Sequence, residues 1–359
     1  MMGQMTRRNQ PGPTLEAIDL PGGDAFVDEL RRIWDAGNAA FPVDQRVPNP
    51  AKAQLCRAMR VGEAVEPGDA LVMATSGSTG TPKGVILTHD AIAASAAATN
   101  ARLAVSDDDH WLACLPLSHV GGLTVVTRSL YAGTRLTVHP GFDADAVMAS
   151  GATLVSLVPT ALGRIDPTAF RTILLGGSRP PADRPPNTVT TYGMTETGSG
   201  VVYDGRALDG VDVRIDADGE IHLRGSMLLR CYRDGTDPKD PDGWLPTGDL
   251  GTWRDDGRLH VTGRRGDLII TGGENVWPEA VEAALRSHPE VAEVLVRGAD
   301  DAEWGQVVEA LVVPVSGTAP SLTSLREHVR VTHPAFLAPK RLVLVDTIPR
   351  TALGKPIRR

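Results

Sequence analysis

The sequence lacks an excess of basic charge, any pairing pattern of cysteines, and any long apolar run. Thirty-six Lys and Arg stand against 44 Asp and Glu, a formal net charge of −8. That argues against nucleic acid as the main partner, because phosphate backbones are bound by clustered cations. A local basic pocket for one small anion stays open. The three cysteines, Cys56, Cys114 and Cys231, are far apart and show neither metal nor redox spacing. They argue against a disulfide framework and point to a reducing, cytoplasmic setting. No apolar run approaches the ~20 residues of a membrane span. The stretch from Met1 to Thr14 carries two arginines but no apolar core, so it does not read as a secretory signal. No internal repeat is visible.

With 359 residues, 42 per cent of them hydrophobic, the chain can form two or three domains with sizeable cores. Its most informative stretch runs from Ala74 to Val85, between the apolar runs Ala70 to Met73 and Val85 to Leu87. Two strands joined by a tight loop are expected there. Gly77, Gly80 and Gly84 let the main chain approach a ligand closely. The hydroxyls of Ser76, Ser78 and Thr79 and the cation of Lys83 line the stretch. Such a loop suits a polyphosphate. It is not a Walker A loop, which places Gly-Lys-Ser/Thr five positions after its first glycine and a helix behind it. Five positions on from Gly77 stands Pro82, and strand-like residues follow. A plain Gly/Ser linker has no need of this order of hydroxyls, glycines and lysine.

Upstream, Phe26, Leu30, Ile33 and Trp34 fall at helical spacing and Gly37 follows, so a helix is expected from Asp24 to Ala36. Asp90 to Leu103 reads as a second helix, capped by Thr88 or Asp90. Asp107-Asp108-Asp109 reads as a solvated turn, since consecutive carboxylates do not converge on one ion. Trp111 to Leu115 reads as a buried strand running on to His119, Gly121 and Gly122. A lone histidine is usually structural, but ligands of open α/β sheets sit at strand ends, so His119 is a candidate. Strands at Arg135 to Val138, Thr153 to Val158 and Thr172 to Leu175, with a helix at Ala144 to Ala149, predict an α/β fold with doubly wound sheets. Gly176-Gly177-Ser178 closes the last of these strands, either as a bare turn or against a ligand.

The next strand would deliver Thr191-Tyr192-Gly193-Met194-Thr195-Glu196. Asp212 to Leu223 and Leu228 to Tyr232 read as hairpins of a small β-subdomain, with Asp218-Gly219 as a turn. Thr247-Gly248-Asp249 and Gly263-Arg264-Arg265-Gly266-Asp267 follow, then Gly272-Gly273-Glu274-Asn275 and a helix from Pro278 to Arg286. Strands at Ala292 to Val296, Val307 to Val313 and Arg341 to Val345, with a helix at Leu322 to Val331, predict a small α+β domain that ends in Leu353-Gly354-Lys355-Pro356.

In this order, over residues 74 to 359, these segments resemble the acyl-adenylate-forming (AMP-binding) enzymes, in their acyl- and aryl-CoA ligase branch. The resemblance implies a division into residues 1–263, an AMP-binding domain, and 264–359, a mobile lid domain with its pivot near Gly266. Asp35 to Asp44 is loosely similar to the family's early segment, and only 30 residues separate Asp44 from Ala74, so the first domain reads as abbreviated at its start. Thr75 to Gly80 with Lys83 would be the phosphate loop. Gly176, Gly177 and Ser178 would lie against adenine and Tyr192 would stack on it. Thr195 would bond a phosphate oxygen, and Glu196 would bind Mg²⁺, which takes hard oxygen ligands. Asp249 would accept both ribose hydroxyls, and Arg264 would contact the ribose or the α-phosphate. His119 would lie beside the acyl pocket. Lys355 would be the adenylation lysine, and Gly273 and Glu274 would complete the path of CoA.

The implied reaction uses ATP, Mg²⁺ and CoA. A carboxylate displaces pyrophosphate to form an acyl-adenylate, and the CoA thiol then displaces AMP. Lys355 would act as a fixed cation, because the carboxylate is already ionised at neutral pH. Gly272 to Asn275 and the Leu-Gly-Lys-Pro ending most resemble the o-succinylbenzoate–CoA ligases of menaquinone synthesis. Aromatics at 4 per cent and glycines at 121, 122 and 193 are read as leaving room for a flat ring. No cation is assigned to the acid's second carboxylate. Another aryl- or fatty-acyl-CoA ligase, a ligase loading a carrier protein, and a non-catalytic nucleotide-binding protein stay open, as does a homodimer.

Overall fold

The alternation of short apolar runs with amphipathic stretches becomes four sheets and eight helices among residues 12–75, 82–177, 180–181, 183–350 and 356–358, which the computed structural model describes. The chain divides into two units: Met1–Asp212 with Arg224–Gly243, and Val213–Leu223 with Trp244–Arg359.

The first unit opens with strands β1 (Leu15–Ile18), β2 (Ala39–Pro42), β3 (Asp69–Thr75) and β4 (Lys83–Thr88), paired in that order. The first three run parallel and β4 returns antiparallel. Helix α1 (Asp24–Asp35) buries Phe26, Val27, Leu30 and Ile33, the face its spacing sets apart. Helix α2 (Asn49–Ala58) adds Leu55 to a core with Leu15, Phe41, Val72 and Ile86. Helix α3 (His89–Arg102) starts where the Thr88 hydroxyl accepts the Ala91 N–H at 3.1 Å.

The second sheet holds β5 (His110–Ala113), β6 (Arg135–Val138), β7 (Leu154–Leu157), β8 (Thr172–Leu175), β9 (Thr188–Gly193), β10 (Gly200–Tyr203) and β11 (Arg206–Ala207). Their order is β11-β10-β9-β8-β7-β5-β6. From β9 to β6 all neighbours are parallel, and β10 and β11 close the edge antiparallel. Parallel strands covered on both faces are apolar almost throughout. Accordingly Leu112, Val155 and Ile173 pack with Val147 of α5 (Ala144–Ala149) and Leu162 of α6 (Pro159–Leu162). The opposite face of β5 carries Trp111, under α4 (Val120–Ala132). The chain steps from β5 out to β6, then back past β5 to β7. That reversal opens a crevice at the carboxyl ends of the strands.

The third sheet is formed by β12 (Val211–Ile215), β13 (Glu220–Gly225), β14 (Leu245–Trp253) and β15 (Leu259–Arg264), of which all but Val211, Asp212, Arg224 and Gly225 belong to the second unit. Gly219 has φ +83° in the expected turn between β12 and β13. The fourth sheet contains β16 (Ile269–Thr271), β17 (Glu274–Val276), β18 (Val291–Asp301), β19 (Gly305–Pro314) and β20 (Arg341–Leu344). Val294, Val296, Val308, Ala310 and Val312 pack against Val281 and Leu285 of α7 (Pro278–Leu285) and Leu325 and Val329 of α8 (Leu322–Thr332).

Two expectations fail. Leu228 to Tyr232 is not a hairpin. It lies along β4, where Ile86 N–H donates to Cys231 O at 3.1 Å and Arg233 N–H to Gly84 O at 2.7 Å. Its alternation satisfies a neighbouring sheet edge instead of a partner of its own. Asp109 is not solvated either. It is 4 per cent exposed, and its carboxylate accepts Arg171 at 2.7 and 2.9 Å and the Thr153 hydroxyl at 2.7 Å.

Candidate active site

The carboxyl end of β8 carries Gly176 and Gly177, and that of β9 carries Thr191, Tyr192 and Gly193. Gly177 has φ +82°, which favours glycine. Gly176 is glycine for packing: a Cβ there would stand 2.6 Å from Thr191 Oγ1. A Cβ on Gly193 would stand 2.2 Å from Ser199 O, and one on Gly122 would stand 2.5 Å from the carbonyls of Leu115 and Pro116. The space beside Gly122 and Gly193 is therefore filled by this chain's own backbone, and the expectation that they make room for a flat ring is corrected. Ser178 lies outside the described residues.

After β9 the chain makes a short turn, Thr195–Thr197. Thr197 is fully buried; its hydroxyl accepts Met194 N–H at 2.9 Å and donates to Ser199 O at 2.6 Å. This lock leaves Thr195 and Glu196 half-buried on the outer side. Glu196 Oε1 accepts the Tyr232 hydroxyl at 3.0 Å, and Leu229 N–H donates to Glu196 O at 2.7 Å. Among the described residues nothing donates a hydrogen bond to Oε2. A carboxylate with one oxygen fixed and the other open suits a hard cation that takes a single protein ligand, so the donor set fits Mg²⁺.

The ends of β3 and β4 place Thr75 opposite Lys83. Lys83 is exposed, with Nζ 4.7 Å from the centre of the Tyr232 ring. Ser76, Gly77, Ser78, Thr79 and Gly80 lie outside the described residues. Gly84 is another packing glycine, since a Cβ would meet Arg233 Cβ and Met59 Sδ at 2.8 Å.

His119 stands just before α4, at the end of the segment leading from β5. Its Nε2 is 2.6 Å from Arg46 Nη2 and 3.7 Å from Asp44 Oδ2. Arginine only donates, so Nε2 accepts here. Burial would raise the Asp44 pKa, but hydrogen bonds from the Arg46 side chain and backbone outweigh it and bring it down to about 2. The sequence marked Asp44 only as part of a loosely matching turn, and Arg46 not at all.

Arg128 of α4 is the residue that sequence reasoning missed most clearly. It is 3 per cent exposed and lies over Trp111, with its guanidinium carbon 4.9 Å from the ring centre. Nη2 reaches Thr124 Oγ1 at 3.3 Å and Ser199 Oγ at 3.2 Å. Nε and Nη1 have no partner, and no carboxylate pairs with it among the described residues. Burial pushes its pKa down. A buried cation left uncompensated costs several kcal/mol (roughly). The same guanidinium lines a narrow pocket with Met73, Leu87, Ile92, Leu123 and Met227. Its sequence signal was a single charge in the otherwise uncharged α4.

In the second unit, Asp249 is buried on β14 opposite Arg264 of β15, and Arg264 Nε lies 3.0 Å from Asp249 Oδ1. The backbone before it is fixed as well: Gly248, at φ +72°, donates to Glu220 Oε1 at 2.9 Å. The other Glu220 oxygen lies 3.2 Å from Arg265, beside the exposed Gly266. Gly272 and Gly273 form the two-residue turn between β16 and β17, with φ +59° and +85°, as a type I′ hairpin requires. Glu274 is exposed at the hairpin's end. Lys355 lies outside the described residues. On either side of it, Arg350 pairs with Pro356, and Arg358 bonds to Glu282 and to Val296 O.

This arrangement presents a carboxylate with one open oxygen near an exposed lysine, and a buried guanidinium on the wall of a narrow, mostly apolar pocket. The AMP-binding enzyme model matches residues 27–233, and the AMP-binding enzyme C-terminal domain matches residues 280–355. A probable 2-succinylbenzoate–CoA ligase of Mycobacterium tuberculosis is 38 per cent identical over 372 residues, covering 95 per cent of this chain and 96 per cent of the relative. A 2-succinylbenzoate–CoA ligase of Bacillus anthracis is 37 per cent identical over 333 residues, covering 80 and 68 per cent. Among solved structures, o-succinylbenzoate CoA synthetase (MenE) from Bacillus subtilis in complex with the acyl-adenylate OSB-AMP superposes with a TM-score of 0.88 at 28 per cent identity, covering 97 per cent of this chain and 87 per cent of that one. The same enzyme with ATP and magnesium ion gives 0.86 at 28 per cent, covering 97 and 89 per cent. By its family match, its relatives and its fold, the chain belongs to the AMP-binding enzyme family.

Proposed function

We propose that the protein is an o-succinylbenzoate–CoA ligase that works through an acyl-adenylate. The relatives named for that reaction support the chemistry. The observation that carries the acid's identity is Arg128, a buried guanidinium without a carboxylate on the wall of a narrow, mostly apolar pocket. A dicarboxylic aryl acid keeps one anion after the other is activated, and that anion needs a desolvated cation. A fatty acid or a simple benzoate has no such group.

In the first half-reaction, one carboxylate oxygen bonds to the α-phosphorus and the α–β phosphoanhydride breaks, releasing pyrophosphate. Two anions must meet, so positive charge is the chief requirement. Lys83, with Thr75 and the loop Ser76 to Gly80, holds the phosphates, Thr195 bonds one phosphate oxygen, and Lys355 places its ammonium on the charge that develops. Glu196 would hold magnesium, whose charge offsets that of the phosphates. Gly176, Gly177 and Ser178 bound the adenine and Tyr192 stacks on it, on the backbone that Thr191, Gly193 and Met194 continue. Asp249 takes the ribose hydroxyls. Arg264, 3.0 Å from Asp249, orients that carboxylate and reaches the sugar or the α-phosphate.

In the second half-reaction, sulfur bonds to the acyl carbon, the mixed anhydride opens, and AMP leaves; the thiol proton passes to solvent. Residues 264–359 turn about Gly266 between the two steps, withdrawing Lys355 and bringing Gly273 and Glu274 to the CoA path. His119, tethered through Arg46 and Asp44, borders the acyl group.

Incubation with ATP, magnesium and o-succinylbenzoate but no CoA tests this reading. The enzyme should accumulate the acyl-adenylate, detectable by mass. Added CoA should then convert it to thioester and AMP in equal amounts. Failure to form the adenylate with this acid, alongside turnover of a monocarboxylate, refutes the assignment of the acid.

A further inference from the structure

Tyr232 belongs to no motif singled out in the sequence, yet it touches two residues that were. Its hydroxyl donates to Glu196 Oε1 at 3.0 Å, and its ring face carries Lys83 Nζ at 4.7 Å from the centroid. The backbone around it is fixed along β4. Tyr232 bridges Val85, Arg230 N–H donates to Ile86 O at 2.9 Å, and Tyr232 N–H donates to Thr236 O at 2.8 Å. The same segment holds the main chain of Glu196 through Leu229 N–H. The position of the ring is therefore set by the sheet and not by the charges it meets.

We propose that Tyr232 is a positioning residue that orients Glu196 toward the metal and Lys83 toward the phosphates. The proposal rests on the metal and phosphate roles assigned above. A phenol hydroxyl bonded to one carboxylate oxygen stops the carboxylate from rotating and presents the other oxygen singly. The ring face, negative by its quadrupole, holds the ammonium without neutralising it. No ion pair joins Lys83 to Glu196 among the described residues. One side chain thus holds an anion at its hydroxyl and a cation on its face. Both charges stay available to a ligand that brings the opposite signs, phosphate and metal.

The test is calorimetric titration of ATP into the full-length protein at a series of magnesium concentrations, with wild type, Tyr232→Phe, Glu196→Gln and the double variant. Tyr232→Phe keeps the ring and the fold and loses only the hydroxyl. It should raise the magnesium needed for half-maximal nucleotide binding about fivefold or more, as expected for losing a hydrogen bond to a charged group. ATP affinity without magnesium should stay within about twofold of wild type, because the ring face remains. In the double variant the Phe change should add nothing to the Gln change, since both act on one carboxylate. A normal magnesium requirement in Tyr232→Phe beside a raised one in Glu196→Gln overturns the role of Tyr232 alone. A normal requirement in both overturns the reading of Glu196, and this proposal with it. Additive effects in the double variant also overturn it, because they would show that Tyr232 acts by another route.

Discussion

Replacing Arg128 by methionine removes the buried charge while keeping a long, flexible apolar side chain. Two consequences can be worked out. For stability, the change loses two long hydrogen bonds, at 3.2 and 3.3 Å, and the stacking over Trp111 at 4.9 Å. Hydrogen bonds from a charged donor are worth about 1.5–3 kcal/mol each, nearer the lower figure at these lengths, and a buried cation–π contact about 2 kcal/mol. Against this, desolvation of an uncompensated cation costs several kcal/mol (roughly), which the methionine relieves. The terms nearly cancel, so the variant should unfold within about 1 kcal/mol of wild type, or later. For activity, a desolvated charge pair lost from one side costs about 2–5 kcal/mol. Taking about 3 kcal/mol, kcat/KM for o-succinylbenzoate should fall roughly 100-fold. A monocarboxylate that offers nothing to the guanidinium should be unaffected. The assays are urea unfolding and pyrophosphate release with the two acids. Equal loss for both acids, or a destabilisation above about 3 kcal/mol, would refute the reasoning and make Arg128 a structural residue.

The remaining predictions concern stability and motion. Asp44, with its pKa brought from 3.8 to about 2, contributes about 2 kcal/mol that is fully present above pH ~4 and lost as pH falls through ~2. The gap in unfolding free energy between wild type and Asp44→Asn should therefore narrow over that window, and a gap independent of pH would count against the Arg46 pairing as its source. Gly193→Ala should destabilise by about 1–3 kcal/mol, because its Cβ meets a backbone carbonyl that cannot yield; an unchanged melting temperature contradicts this. Gly266→Pro should slow the two half-reactions unequally in single-turnover assays, and equal slowing would argue against the pivot.

Legibility followed how local each feature is. The strands Arg135–Val138 and Thr172–Leu175 and helix Ala144–Ala149 stand where their spacing put them, because period and breakers are written within a few residues. Strand β18 runs to Asp301, well past the expected Val296, because its polar end is paired with β19 residue by residue and needs no apolar pattern. Thr195, Glu196 and Asp249 could be proposed from the sequence because each sits in a compact run of residues. Arg128 could not, since its meaning lies in having no anion near it, a property of packing. Tyr232 was hidden for the reverse reason: its alternating neighbours looked like an independent hairpin, and only the pairing with β4 brings it to Glu196. Gly122 and Gly193 were misread because a missing Cβ can admit a ligand or a neighbouring carbonyl, and sequence does not distinguish the two.

The central claim is tested most directly by pyrophosphate release with ATP and magnesium across a panel of carboxylates, with CoA present and absent, and with products identified by mass. Strong release is expected with o-succinylbenzoate, with its CoA thioester as product only when CoA is added, and weak release with benzoate and with short and long fatty acids. Preferential turnover of a fatty acid or a simple benzoate, with o-succinylbenzoate inert, would contradict it.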